Sequence, residues 1–128
     1  MANELILIVE DNEKNRKLVR DLLQFKGYRT LEAVSGEDGV TLAAEHKPDL
    51  ILMDYKLPGI DGIEAFRRIR NASTTAHIPI VAVTASAMQE EARKMNEAGF
   101  DGFLTKPINV KEFLQAVEDL FSRKAEKE

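Results

Sequence analysis

A chain of 128 residues, 44% of them hydrophobic, is long enough for one globular domain with a full core. Its formal net charge of −4 argues against a nucleic-acid surface, and no run is long and apolar enough to span a bilayer. The opening MANELILIVED meets acid too early for a signal peptide, and the absence of cysteine removes disulfides and thiolate metal sites. These features predict a soluble cytoplasmic domain with a core over about residues 4–122 and a solvated C-terminal tail.

Short apolar runs alternate with helical patterns. Strands are expected at Leu5–Val9, Arg29–Ala33, Leu50–Met53, Ile80–Val83 and Gly102–Thr105. Three of these (LILIV, LILM, IVAV) are continuous apolar runs, as in parallel strands covered on both faces; the more polar YRTLEA suits an edge. The first helix places Leu18, Leu22 and Phe25 on one face and can end at Gly27. The second starts at Ser35, is lined by Val40 and Ala44, and cannot pass Pro48. Asp61 caps the third, with Ile63, Phe66 and Ile69 inward. The fourth covers roughly Ala87 to Ala98 before Gly99, with Met88 and Met95 read as core packing. The fifth runs from Asn109 with Phe113, Val117, Leu120 and Phe121 buried. The pattern is α/β: a (βα)₅ doubly wound parallel sheet, for which right-handed crossovers favour the order 2-1-3-4-5.

In such sheets ligands bind beyond the carboxyl ends of the strands. Strand one runs into Glu10 and Asp11, strand three into Asp54, strand four into Thr84 and strand five into Lys106. Taken singly, each has an ordinary explanation: a helix cap, a turn residue, a solvated lysine. Together they bring every chemically capable side chain to one rim. Two like charges about 4 Å apart repel by roughly 4 kcal/mol at an effective dielectric of 20. Three carboxylates there require either a shared proton or a cation. His46 and His77 read as surface residues away from this rim, so the donors are oxygens, and Mg²⁺ suits so small a set better than Ca²⁺. A lysine and a threonine hydroxyl suit phosphoryl oxygens, and an aspartate can attack phosphorus to give an acyl phosphate.

With these residues in hand, the chain resembles the receiver domain of two-component response regulators, in particular the single-domain, CheY- and DivK-like kind. LILIVEDN, LILMDYKLPGIDG, IVAVTA and GFLTKP carry the resemblance over nearly the whole chain. The resemblance implies that Asp54 is the phospho-acceptor and that Asp11 binds Mg²⁺ directly. It further implies that Glu10 binds the ion through water and that the backbone carbonyl of Lys56 completes the protein ligands. Thr84 would be the switch hydroxyl, Lys106 the phosphate-pairing lysine, followed by a cis peptide to Pro107, and Phe103 the switch aromatic. Lys56 and Ser86 fall where the family tunes hydrolysis. Two departures stand out: Glu10 replaces a frequent Asp, and Phe103 lacks the hydroxyl of a frequent Tyr.

The implied function is a phosphorylation switch. A sensor histidine kinase or phosphotransfer protein would be the donor, and a downstream protein would read the face made by the fourth helix, fifth strand and fifth helix. No nucleic-acid or membrane partner is expected. The chain would be a stand-alone regulator or a domain from a larger regulator or hybrid kinase. Two rivals share parts of this pattern. An aspartyl-phosphate phosphatase of the haloacid dehalogenase type wants a second Asp at the position of Lys56, and a flavodoxin-like FMN carrier wants a phosphate-cradling loop where this chain has EDNEKN.

Overall fold

The computed structural model describes residues 4–84, 89–105 and 109–127. Within these residues five strands and five helices alternate: β1 (Leu5–Val9), α1 (Glu13–Phe25), β2 (Arg29–Ala33), α2 (Gly36–His46), β3 (Leu50–Asp54), α3 (Gly62–Asn71), β4 (Ile80–Thr84), α4 (Gln89–Ala98), β5 (Gly102–Thr105) and α5 (Val110–Lys127). All strand pairs are parallel and the order is β2-β1-β3-β4-β5, as the sequence pattern predicts. Strands β3 and β4 each run one residue further than expected, taking Asp54 and Thr84 into the ladder opposite Val83 and Thr105.

Side chains alternate across the sheet, so each strand feeds two core layers. Ile6, Ile8, Leu50, Leu52, Val81 and Val83 meet Val19 and Leu23 of α1 and Phe113 and Val117 of α5. On the other face Leu7, Val9, Ile51, Met53 and Ile80 meet Ala43 of α2 and Ala65, Phe66 and Ile69 of α3. Leu120 and Phe121 flank the first layer as expected, and Met95 of α4 is buried. Met88 lies outside the described residues. His46 and His77 are exposed.

Two helix faces differ from expectation. In α1 the buried residues are Val19 and Leu23, with Leu22 at the margin, while Leu18 and Phe25 are exposed. At 100° per residue both stripes are apolar in LVRDLLQF, and Leu18 and Phe25 lie roughly 130° around the helix from the one that faces the sheet. In α2 Val40 packs beside the core but Ala44 is exposed; Gly36, Gly39 and Ala43 form the buried face. A Cβ on Gly39 would lie 2.9 Å from Val9 Cγ2, so this helix sits too close to β1 for larger residues.

Helix ends follow the sequence. Asn12, Ser35, Asp61 and Asn109 accept the amides of Asn15, Asp38, Glu64 and Glu112. After α1, Tyr28 N donates to Leu23 O and Gly27 N to Gln24 O, the paired bonds of a Schellman closure. At the opposite edge Arg70 clamps the start of β4. Its guanidinium donates to the carbonyls of Ala76 and Ile78 and to Asp101, lies over the Phe66 ring, and so ties α3 to the turn before β5.

Tyr28 is buried and its ring lies 5.5 Å from that of Phe121. Burial, with Glu4 and Glu118 nearby, raises its phenol above the ordinary value of 10.0. The native state therefore holds this proton more tightly than the unfolded chain. Its contribution to stability is intact below about pH 10 and is lost as pH rises through the folded value. Chemical denaturation across that range should show a steeper alkaline loss for wild type than for Tyr28→Phe. Parallel curves would remove Tyr28 as the cause.

Candidate functional site

The site lies where the chain winds outward in both directions from adjacent strands β1 and β3, so the loops after them diverge and leave a crevice. Glu10, just past β1, and Asp54, the last residue of β3, are buried to 4% and 6% exposure; Asp11 is exposed. One carboxylate oxygen from each of the three lies within 4.8 Å of the others. The expected acidic cluster is therefore assembled.

Local bonds fix Glu10 and the end of β3. Glu10 N donates to Ala33 O at 3.0 Å, extending the β1–β2 ladder one step. Its carbonyl accepts from Arg16 Nη1 at 3.1 Å, while Arg16 Nε pairs with Glu32 Oε1 at 3.1 Å. Asn12 N donates to Glu10 Oε2 at 3.2 Å, turning this longer carboxylate back over its own loop. On β3, Tyr55 N donates to Val83 O at 3.0 Å and Lys56 N approaches Asp54 Oδ1 at 3.4 Å. The loop from Tyr55 to Asp61 is closed at its base by Gly62 N donating to Tyr55 O at 2.9 Å. Here α3 presses against the strand end: a Cβ on Gly62 would lie 2.5 Å from Asp54 O and 3.0 Å from Tyr55 Cα.

At 4.8 Å and an effective dielectric of about 20, each fully ionised pair would repel by about 3.5 kcal/mol. A set of close carboxylates without imidazole or thiolate has the donor chemistry of a hard divalent cation, so these residues fit Mg²⁺. Thr84 ends β4 beside Thr105 of β5, which places its backbone at the same edge. Its side chain, Ser86, Lys106 and the Lys106–Pro107 peptide lie outside the described residues. Phe103, in register with Ala82, is half-exposed on β5 and lines a shallow pocket with Leu104, Ala116 and Leu120. Lys56 is exposed in the loop after Asp54.

Sequence reasoning missed four supporting residues: Arg16, Glu37, Gly36 and Gly62. Arg16 bonds the Glu10 carbonyl, Gly62 packs on the Asp54 carbonyl, and Gly36 and Glu37 at the start of α2 meet the backbone of Ile60; a one-dimensional pattern carries no sign of such partners. Only the small-residue spacing Gly36, Gly39, Ala43 was there to be seen.

A doubly wound sheet with a carboxylate cluster at its switch point, on the end of a central strand, is the arrangement expected of a receiver-type domain. The family model of the response regulator receiver domain matches residues 6–118. Over 113 residues the chain is 42% identical to the polar-differentiation response regulator DivK of Brucella ovis, covering 88% of this chain and 92% of that protein. Among solved structures, the receiver domain of sensor histidine kinase PA1611 from Pseudomonas aeruginosa matches with a TM-score of 0.86 and 34% identity, over 91% of this chain and 96% of that one. That protein has a magnesium ion coordinated in its active-site cleft. Chemotaxis response regulator CheY4 of Vibrio cholerae matches with a TM-score of 0.86 and 26% identity, over 91% and 98% of the two chains. The chain belongs to the response regulator receiver family. It is a phosphorylation-dependent signalling switch rather than a conventional enzyme, of a family that interacts with histidine kinases or phosphotransfer proteins. Among the described residues no helix is long and apolar enough to cross a membrane.

Proposed function

We propose that Asp54 accepts a phosphoryl group from the phosphohistidine of a sensor kinase or phosphotransfer protein, and that the chain acts in the cytoplasm as one receiver domain over about residues 4–122. The observation that carries this is the meeting of Glu10, Asp11 and Asp54 within 4.8 Å at the carboxyl edge of the sheet. An Asp54 carboxylate oxygen attacks phosphorus in line. The O–P bond forms as the N–P bond breaks, and the departing imidazole leaves with the bond's electron pair and takes up a proton. Asp11, Asp54 and the Lys56 carbonyl would hold Mg²⁺, with Glu10 reaching it through water; the ion supplies positive charge against the phosphoryl oxygens. Lys106 pairs with one such oxygen and Thr84 donates its hydroxyl to another.

Hydrolysis resets the switch. Water attacks phosphorus, the P–O bond to Asp54 breaks, inorganic phosphate departs and Asp54 is regenerated as a carboxylate, at a rate tuned by Lys56 and Ser86. While it lasts, the phosphoryl group adds roughly −1.5 to −2 charges at this edge. That charge favours the conformation in which Thr84 meets it, with Phe103 turning inward and a protein target reading the face of α4, β5 and α5.

The test is intact-mass spectrometry after incubation with acetyl phosphate, with and without Mg²⁺. Wild type should gain one Mg²⁺-dependent phosphoryl adduct that Asp54→Asn lacks. The same adduct at the same site in the mutant would overturn the assignment.

A further inference from the structure

The loop between β3 and α3 carries the Lys56 carbonyl, and its tip is held from outside. Its base is closed by Tyr55 O and Gly62 N. Its tip leans on the first turn of α2, where two consecutive residues seat the same neighbour. Gly36 packs against Ile60 so closely that a Cβ would lie 2.7 Å from Ile60 O. Glu37 reaches across, accepting Ile60 N on Oε1 at 3.4 Å. The same carboxylate lies over Gly59, where a Cβ would be 2.5 Å from Oε1 and where φ is +76°. A carboxylate in the first helical turn is favoured by the helix dipole, so Glu37 has a stable base from which to reach. Thr41 Oγ1, donating to Glu37 O at 3.1 Å, adds to that turn.

We propose that Glu37 is a positioning residue for the cation site: by holding Ile60 it pre-organises the loop that presents the Lys56 carbonyl. This rests on the Mg²⁺ reading given above. A ligand on a loop tethered at both ends loses less freedom when the ion arrives, and outer residues that orient ligands typically change metal affinity 10- to 100-fold, roughly. Because this tether acts through four residues of backbone, the low end applies.

Three proteins separate the tether from the charge: wild type, Glu37→Ala, and Glu37→Gln, whose amide oxygen can still accept from Ile60. Amide exchange by NMR without metal reads the tether, and Mg²⁺ titration followed by backbone shifts reads the site. Glu37→Ala should lose protection at Ile60 and raise the Mg²⁺ Kd about tenfold, while Glu37→Gln stays within about twofold of wild type on both readouts. Thermal unfolding confirms that the variants are folded; Glu37 is exposed, so little loss is expected. If Glu37→Gln weakens Mg²⁺ as much as Glu37→Ala, the effect is one of charge and the positioning role is wrong. If Glu37→Ala binds Mg²⁺ as wild type does, the tether does not reach the ion and the proposal falls while the cation reading stands. Wild type that binds no Mg²⁺ would sink both.

Discussion

Gly62→Ala should lower the thermal unfolding midpoint by about 7 °C, although alanine is the better helix former. Gly62 is the first residue of α3, where replacing glycine gains at most about 1 kcal/mol of helix propensity. Against that stands a Cβ placed 2.5 Å from Asp54 O, with Tyr55 Cα and O at 3.0 and 3.2 Å. All three are backbone atoms, so no rotamer change relieves the contact, and either α3 or the end of β3 must shift. Overpacking of this kind costs about 1–3 kcal/mol. With the nearest atoms in the backbone the upper part of that range applies, leaving about 2 kcal/mol net. For this length the unfolding entropy is about 0.27 kcal/mol per K, which gives the stated shift. Gly102→Ala is the control, because its Cβ would meet only Val81 Cγ2 at an ordinary 3.8 Å. The same displacement should reduce phosphoryl uptake at 10 °C, where the variant stays folded, since the atoms that yield belong to Asp54 and its neighbour. A variant as stable as wild type would show that α3 recedes at no cost.

The contrast between Gly62 and Asp54 shows what could be read in advance. Strand positions and order were legible because continuous apolar runs admit few parallel topologies, and the acidic cluster was legible because β1 and β3 run into carboxylates. Asp54 announces itself as a carboxylate closing LILM. Gly62 looks like an ordinary turn residue until α3 is seen against the strand end. The α1 face was ambiguous for a related reason: LVRDLLQF offers two apolar stripes, and only the position of the sheet selects Val19 and Leu23 over Leu18 and Phe25. In α2 the apolar stripe runs through Val40 and Ala44 in sequence, whereas close approach to Val9 turns Gly36, Gly39 and Ala43 to the sheet. Pattern reading finds what a residue is; these cases turn on what it is set against.

Asp11→Asn should change stability in opposite directions with and without Mg²⁺. Without the ion, the substitution removes a charge whose oxygen lies within 4.8 Å of two buried carboxylates. The full Coulomb figure of about 3.5 kcal/mol per pair does not apply, because Asp11 is exposed and solvent screens it. A gain of about 1 kcal/mol, or roughly 4 °C, is the expected remainder. With Mg²⁺ at about 100 times its Kd, wild type should gain about 2.7 kcal/mol through binding to the native state alone. The mutant, lacking the carboxylate proposed as a direct ligand, should gain a small part of that at the same concentration. Thermal unfolding curves measured across a Mg²⁺ titration should therefore cross, the mutant being more stable at zero ion and wild type above saturation. Raising salt should shrink the mutant's advantage at zero Mg²⁺, since the repulsion at the exposed edge is screened. A mutant less stable than wild type without Mg²⁺ would mean that Asp11 holds the apo loop together rather than straining it. Its place beside the two buried carboxylates would then need an explanation other than cation capture.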